Sequence, residues 1–514
     1  NKLGVCYKNG IGIDKNEQEA VKWFRKSSEQ DCAMAQCNLG FCYERGIGID
    51  KDEVEAVKWY RKAAEQGHMY AQHNLATLYY HGQGVKRNYK KAACLFEKAA
   101  EQGVVPAMSF IGTCYDFGKG VPCNMEKVVY WFSKAAEKGD AVAQYNLASC
   151  YENGNCVVLD VDKAVYWYTK SAEQGHTKAL HDLGMIYLCD DEHGDWEKGM
   201  SLLTLSAEQG CLSAMNVLGV EYNSCGENTD AKYYEQAVYW FAKSAELNNS
   251  YGQRNLGLCY INGHGVDQDD EKAVYWWRRS ADQGDSHSQF NLGQCYDKGR
   301  GVDKDEKQAV YWWTKAAEQG HADAQCNLAW HYVYECVEQD TEKAIYWYKK
   351  AAERGFVPAQ VYLGNIYYHG EGVEQDYQQA VEWYTLAAEQ GDAKAQYGLG
   401  MCYFDVEDYE QAIYWYRKAV EQGDAGAQND LGFCYENGLG VEVDREEALR
   451  LYRLSAEQGC DYAQFNLAEC YEQGRGVEKD LEQAIHWYTL AAEQGDEDAI
   501  EALERLKRQK KNND

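Results

Sequence analysis

The sequence predicts an all-α solenoid, and two observations support that fold class. First, a Leu or Ile followed by Gly or Ala recurs about every 36 residues in 14 copies, and a period of this length is typical of repeat architectures. Second, each copy contains two segments of helical apolar periodicity joined by turn residues. The first residue of the pair is Leu3, Leu39, Leu75, Ile111, Leu147, Leu183, Leu218, Leu256, Leu292, Leu328, Leu363, Leu399, Leu431 and Leu467.

The first segment of each copy, helix A, has one apolar face. In the second copy Ala35, Leu39, Cys42 and Tyr43 fall at i, i+4, i+7 and i+8, which places them on one side of an α-helix. A Gly inside a helix costs roughly 1 kcal/mol relative to Ala, so its recurrence after the Leu indicates close approach of another helix. A Tyr stands four residues after the Leu in every copy. We expect this ring to pack beside the gap that the small residue leaves.

The second segment, helix B, has signals for its start, its buried face and its end. Asp52 is a good N-cap, and Glu55 three residues later predicts a capping box. Gly67 follows the helix, where a left-handed residue is expected; Asp31 and Asn248 replace that Gly in two copies. The predicted buried stripe of the second copy is Ala56, Trp59, Tyr60, Ala63 and Ala64.

These residues resemble a known repeat. The pattern Ala-x-x-x-Leu-Gly-x-x-Tyr, then Gly-x-Gly-Val, then Asp, Ala, Trp and Ala-Ala-Glu-x-Gly is similar to the Sel1-like repeat, a relative of the tetratricopeptide repeat, and it covers essentially the whole chain. The resemblance implies a right-handed α-α superhelical solenoid of about 14 helix pairs with a C-terminal capping helix. It also implies a non-catalytic scaffold or adaptor.

The copies divide the chain into five predicted segments. Residues 1–31 form a first repeat that lacks the start of its helix A, which indicates a truncated N-terminus and leaves a lost targeting segment open. Residues 32–175 and 249–495 are regular repeats, residues 176–248 are irregular, and residues 496–514 form a capping helix and polar tail. We expect a change in curvature, or a boundary between two half-arrays, in the irregular segment.

Composition restricts the possible partners. The net charge is -30 and the pI about 4.8, which argues against nucleic acid or an anionic membrane surface. The acidity is explained either by solubility or by a basic partner. No apolar run is long enough to span a membrane, so direct membrane insertion is not expected. The sequence assigns no oligomeric state.

Cysteine usage predicts a reducing compartment. Nine of the 20 Cys occupy one position on the apolar face of helix A, where Cys acts as a small hydrophobe. Equivalent positions in neighbouring copies are too far apart for a disulfide, so we expect free thiols and a cytoplasmic location. The nine are Cys6, Cys42, Cys114, Cys150, Cys259, Cys295, Cys402, Cys434 and Cys470.

Motifs for catalysis and for cofactor binding are absent from the sequence. It contains no Gly-x-Ser-x-Gly, no His-Glu-x-x-His and no phosphate-binding loop, and its Gly-x-Gly pairs follow helices as turn residues. Cys189 and His193, with the acids between them, form one local group with metal-ligand chemistry, but a polar loop is the preferred interpretation. We therefore predict no catalytic, cofactor or metal site.

Variation between copies points to a candidate partner site. Counted from the Leu, positions −2, +2 and +5 vary freely and form their own stripe along helix A, which lines the concave face in this superfamily. In the later copies the stripe is apolar and aromatic, as expected of a groove for a protein or peptide segment. Nearby acids, Glu436 and Asp297, favour a partner with basic flanks. The predicted site is Trp330, Val333, Tyr368, Tyr397, Met401, Phe404, Phe433 and Phe465.

Three alternatives stay open at this point. The stripe could reflect tighter packing of copies 10–12 through their short loops. A secreted or lumenal Sel1-type protein is the functional alternative, either as an assembly or degradation adaptor subunit or as a β-lactam hydrolase like the cysteine-rich members. The cysteine-rich members have a regular Cys pair in each repeat, and this sequence lacks that spacing.

Overall fold

Helices alone make up the regular secondary structure in the part of the chain that the computed structural model describes, residues 1–155, 157–189, 194–228, 232–334 and 340–513. The chain divides into two compact units, Asn1–Leu247 and Asn248–Asp514. The first unit ends close to the end of the predicted irregular segment, 176–248. The predicted loop group around Cys189 cannot be assessed, because His193 lies outside the described residues.

The first unit contains seven helix pairs. Odd-numbered helices correspond to helix A and even-numbered helices to helix B. Their bounds are α1 Lys2–Asn9, α2 Glu17–Ser28, α3 Ala33–Arg45, α4 Glu53–Glu65, α5 Met69–His81, α6 Tyr89–Glu101, α7 Val105–Asp116, α8 Met125–Glu137, α9 Ala141–Asn153, α10 Val161–Ala172, α11 Thr177–Cys189, α12 Trp196–Glu208, α13 Leu212–Asn228 and α14 Lys232–Glu246.

The second unit contains seven more pairs and a closing helix, so the all-α solenoid architecture is confirmed. The bounds are α15 Ser250–Asn262, α16 Asp270–Asp282, α17 Ser286–Lys298, α18 Glu306–Glu318, α19 Ala322–Tyr334, α20 Thr341–Ala352, α21 Val357–His369, α22 Tyr377–Glu389, α23 Ala393–Asp405, α24 Tyr409–Glu421, α25 Ala425–Asn437, α26 Arg445–Glu457, α27 Asp461–Gln473, α28 Leu481–Glu493 and α29 Glu497–Asn513. Within each unit, consecutive helices pack against one another.

Only the Asp52 half of the predicted capping box is present at the start of helix B. The Asp52 carboxylate accepts the backbone N–H groups of Val54 and Glu55 at 2.9 and 3.0 Å. The reciprocal half of the predicted capping box is wrong, because the Glu55 side chain pairs with Lys58. The backbone N–H of Asp52 needs no carboxylate, since it donates to the Tyr43 carbonyl at 2.9 Å.

The ring that fills the gap at the small residue belongs to helix B. A Cβ atom added at Gly40 would lie 2.9 Å from the ring of Tyr60, which is fully buried. The expectation that Tyr43 packs beside this gap is therefore wrong. Tyr43 is half-buried and its hydroxyl accepts a hydrogen bond from the Arg25 guanidinium of the preceding copy at 2.9 Å. The recurring Gly thus serves close packing between the two helices of one copy.

A buried glutamine ladder links successive copies. The Gln66 amide, just after α4, donates to the Gln36 side chain at 2.8 Å, and Gln36 donates to the Ser28 carbonyl at 3.3 Å. The Gln36 amide thus bonds both to the Gln that follows helix B of its own copy and to a carbonyl of the preceding copy. The other ladder pairs are Gln102–Gln72, Gln174–Gln144, Gln283–Gln253, Gln319–Gln289, Gln390–Gln360, Gln422–Gln396, Gln458–Gln428 and Gln494–Gln464.

The cysteines at the repeated helix A position are mostly buried, as the sequence predicts. Leaving out Cys150 and Cys225, the 16 other cysteines in the described ranges are free thiols, and eight of the nine at the repeated helix A position are buried. Burial raises the pKa of Cys259 and Cys470 to about 12. Three cysteines are exposed: Cys94, Cys123 and Cys189.

Candidate functional site

The eight predicted site residues differ in exposure. Trp330 and Phe433 are the exposed members, with 38% and 42% of their surface accessible. Val333 is only 9% accessible and packs in the core with Tyr348. The remaining five are half-buried: Tyr368, Tyr397, Met401, Phe404 and Phe465.

The prediction that Val333 lies on a free surface stripe is wrong, because position +5 faces the ring of helix B. In the second copy that position is Glu44, whose carboxylate accepts the hydroxyl of the buried Tyr60 at 2.6 Å. The same pairing recurs in Tyr168–Glu152, Tyr452–Glu436 and Tyr488–Glu472. With Val333 in place of Glu, the buried Tyr348 hydroxyl has no hydrogen-bond partner among the described residues.

Glu436 does not act as a free acid beside the stripe. Its carboxylate accepts the Tyr452 hydroxyl at 2.9 Å and forms an ion pair with Arg475 at 2.5 Å. Its side chain is 10% accessible. The expectation that Glu436 meets a basic flank of a partner is therefore wrong, because its charge is already neutralised inside the protein. Asp297 is half-buried, and its role toward a partner stays a prediction.

Two of the half-buried tyrosines join the A helices of consecutive copies. The Tyr368 hydroxyl donates to Asp405 at 2.7 Å, and the Tyr397 hydroxyl donates to Asp430 at 3.1 Å. Burial raises the pKa of the Asp430 carboxyl. Helix α23 contacts both α21 and α25 directly. These contacts favour the packing interpretation for Tyr368 and Tyr397.

The exposed members form two separate aromatic pairs. Phe404 and Phe433 meet edge to face with ring centroids 6.4 Å apart, and Phe404 also contacts Tyr409 at 5.3 Å. Trp330 packs on the exposed Tyr334 of its own helix, with centroids 5.4 Å apart. Phe465 instead packs on the buried Tyr488. The structure thus reduces the predicted stripe to two exposed aromatic patches within the second unit.

A recurring set of exposed tyrosines on helix B was not predicted. Each precedes the Trp of its helix and packs edge to face on that indole, with centroids about 5 Å apart. The Tyr-Trp dipeptide is the sequence signal that could have revealed them. They are Tyr130, Tyr166 and Tyr239 in the first unit and Tyr275, Tyr311, Tyr346 and Tyr414 in the second.

Comparison with models of protein families identifies the type of repeat. Thirteen segments match the Sel1 repeat: residues 1–32, 33–68, 70–104, 105–140, 141–176, 212–249, 250–285, 286–321, 322–356, 357–392, 393–424, 425–460 and 461–496. The chain belongs to the Sel1 repeat family. Residues 177–211 match no Sel1 model, yet they contain the Sel1-like helix pair α11 and α12.

Two solved Sel1 structures are similar to the chain. The first is c5321, described as a protective antigen present in uropathogenic Escherichia coli strains displaying an SLR fold. It is 31% identical over 95% of this chain and 90% of its own, with a TM-score of 0.46. The second is a Sel1 repeat protein from Oxalobacter formigenes, 31% identical over 63% of this chain and 93% of its own, with a TM-score of 0.49. No curated protein matched the sequence.

The Sel1 scaffold suits protein–protein interaction. Across the described ranges there is no group of three or more His, Cys, Asp or Glu arranged to hold a metal ion. No helix in the same part of the chain combines the length and apolar character needed to cross a bilayer.

Proposed function

We propose that this Sel1 protein is a non-catalytic scaffold that binds an extended or helical partner segment through exposed aromatic side chains of helix A in the second unit. The observation that supports the proposal is the exposure of Trp330 and Phe433, at positions where the neighbouring stripe residues are buried or half-buried. Large aromatic side chains at the surface are the usual anchors of protein interfaces. The face that carries them is the one expected to be concave in this superfamily.

The partner should present apolar anchors. Phe404 and Phe433 together offer an edge-to-face pair against which an aliphatic or aromatic side chain can pack. The chain's net charge of -30 supports a partner with Lys or Arg beside those anchors, and such a partner would associate faster at low salt. We also propose a reducing, cytoplasmic location, which the free thiols support.

The proposal can be tested with peptides selected from a displayed library on the purified chain. The double variant Trp330→Ala/Phe433→Ala should weaken the selected peptide by about thirtyfold for each anchor removed, because an aromatic hot spot contributes about 2 kcal/mol. The matched control is Tyr311→Ala/Tyr414→Ala, which removes two exposed rings from helix B.

Circular dichroism and thermal melting separate binding from folding. We expect both double variants to keep the helicity and melting of the wild type, since the four side chains are exposed. Equal weakening by the control pair would refute the helix A site. Loss of helicity in Trp330→Ala/Phe433→Ala would show that these rings belong to the core.

A further inference from the structure

A cleft with a basic rim lies between α4, α5 and α6 in the first unit. Its volume is 930 Å³, so it can hold several side chains of a ligand. Its floor is apolar and includes Leu75 and Leu95, and Glu65 is its one acidic residue. The cations that line it are Arg61, Lys90, Lys91 and Lys98.

The cleft exists where a recurring indole is missing. Eleven copies have Trp at this helix B position, whereas the third copy has Leu95. In the next copy Trp131 is buried, and Lys134 lies over its ring at 5.6 Å. Lys62 lies over Trp59 in the same way at 4.6 Å. Lys98 is the equivalent lysine of the third copy, and it is kept although its indole is absent.

The other two copies without this Trp also lack the cation. Leu202 is followed three residues later by Leu205, and Leu451 by Leu454. The third copy therefore combines a cleft beside the Leu that stands in place of the Trp with a lysine at the position that covers an aromatic ring in other copies. An aromatic side chain from another molecule would recover both the apolar burial and the cation–π contact.

The charge around the cleft opposes the charge of the whole chain. Residues 86–98 hold five Lys or Arg and one Glu, a net charge of +4, whereas the chain carries -30. Within the described residues, Arg61, Lys90, Lys91 and Lys98 form no ion pair. Arg61 instead donates to the Tyr79 hydroxyl at 3.1 Å. These cations are available to a ligand with carboxylates.

We propose that this cleft binds an acidic peptide segment that carries one aromatic side chain. The ring enters the space beside Leu95 and beneath Lys98, and the flanking carboxylates pair with Arg61, Lys90 and Lys91. An aromatic anchor and charged flanks together distinguish this ligand from a simple anion. The site belongs to the first unit and does not depend on Trp330 or Phe433.

The probe is the capped peptide Asp-Glu-Asp-Trp-Glu-Asp, compared with its Trp-to-Ala version by isothermal titration calorimetry. The Trp peptide should bind wild-type protein at least about tenfold more tightly than the Ala peptide. Leu95→Trp should fill the cleft, keep the fold and weaken the Trp peptide about tenfold or more. Lys98→Ala should weaken it severalfold, whereas the matched variant Lys134→Ala, beside the buried Trp131, should not.

Three results would overturn the proposal. The first is equal binding of the Trp peptide to wild-type protein and to Leu95→Trp. The second is equal affinity for the peptide and for inorganic tripolyphosphate, which would indicate an anion site without an aromatic anchor. The third is sedimentation showing that wild-type protein dimerises through this cleft and that Lys90→Ala/Lys91→Ala is monomeric, in which case the occupant is a second copy.

Discussion

At the scale of single residues, equivalent buried tyrosines in two copies differ in whether the hydroxyl has a hydrogen-bond partner. Tyr452 donates to Glu436, whereas the equivalent Tyr348 has no partner in the described residues. A hydrogen bond to a charged group contributes roughly 1.5–3 kcal/mol, and a buried unpaired hydroxyl costs roughly 1–3 kcal/mol.

We therefore expect a Tyr-to-Phe substitution to change the free energy of unfolding differently at these two positions. Tyr452→Phe should lower the free energy of unfolding by about 2 kcal/mol. Tyr348→Phe should leave it unchanged or raise it by about 1 kcal/mol, because the lost hydroxyl was unpaired. Urea unfolding followed by circular dichroism measures both. A loss at Tyr348→Phe as large as at Tyr452→Phe would contradict this assignment.

The small residue of helix A allows a second paired test. A Cβ atom at Gly293 would overlap the Trp313 indole, whereas one at Gly432 would lie 3.0 Å from the smaller Tyr452 ring. In the sequence, Ala occurs at this position only opposite Phe or Tyr. Gly293→Ala should cost about 1–3 kcal/mol through overpacking. Gly432→Ala should change stability by less than about 1 kcal/mol, since Ala favours the helix. Similar losses in both variants would refute the explanation.

At the scale of helices, Gln325 is a helix A glutamine that has no ladder Gln in its own copy. Arg354 replaces the ladder Gln after α20, and the Gln325 side-chain oxygen is left without a partner among the described residues. Arg354 donates to the Gly320 carbonyl at 2.6 Å. Gln422, at the equivalent place, donates both to Gln396 at 2.9 Å and to the Gly391 carbonyl at 3.0 Å.

Arg354→Gln should therefore restore both contacts and raise the free energy of unfolding of the second unit by about 1 kcal/mol. The matched reverse change, Gln422→Arg, should lower it by a similar amount. Amide hydrogen exchange in α19 and α20 provides a local measurement for Arg354→Gln, and slower exchange is expected. Unchanged exchange together with unchanged stability would show that the ladder contributes little.

The sequence predicted the helices well because their signals are local. Periodicity, caps such as Asp52 and turn residues such as Gly67 determine where helices A and B begin and end. The contacts between helices could not be obtained in this way. Position +5 varies freely, yet it faces a buried ring, as Val333 and Glu436 show. The residue at this position varies although it packs against a buried helix B ring of its own copy, so its variation does not indicate exposure to solvent.

The candidate site was predictable only in part for the same reason. The stripe identified Trp330 and Phe433, which are exposed, but it could not distinguish them from Tyr368 and Tyr397, whose hydroxyls bond the next copy. The basic cleft at Leu95 was missed because the net charge of -30 hides a local excess of lysine. A missing Trp beside a retained Lys98 is the signal that reveals it.

At the scale of the whole molecule, buried thiols make stability depend on alkaline pH. Burial raises the pKa of Cys37, Cys326 and Cys434 to about 12 and that of Cys42 and Cys114 to about 11, from an ordinary value of 9.0. Unfolded chains lose these protons first, so the stabilisation is complete below pH 9 and is lost as pH rises toward about 12.

We expect urea midpoints to fall from pH 8 to pH 10.5. Among the cysteines in the described ranges, we expect a thiol probe at pH 8 to label mainly Cys94, Cys123 and Cys189 of the native protein. Mass spectrometry of the labelled protein identifies the modified positions. Full labelling of Cys259 or Cys470 in the native state would contradict the burial of the repeated cysteine position.

Trp312 tests how far a core defect spreads through the repeats. The indole is buried, so Trp312→Ala should cost about 3–5 kcal/mol. Because each repeat packs on its neighbours, the loss should stay local, and unfolding should show more than one phase rather than a single shifted transition. Differential scanning calorimetry distinguishes the two results. A single two-state transition displaced as a whole would show cooperativity that nearest-neighbour packing does not explain.

The proposed function requires that exposed aromatic side chains of helix A in the second unit contact a partner. Photo-crosslinking with benzoylphenylalanine at positions 330 and 433, compared with positions 311 and 414 on helix B, tests that contact directly with the library-selected peptide. We expect crosslinks from positions 330 and 433 and none from positions 311 and 414. Crosslinks confined to positions 311 and 414 would contradict it.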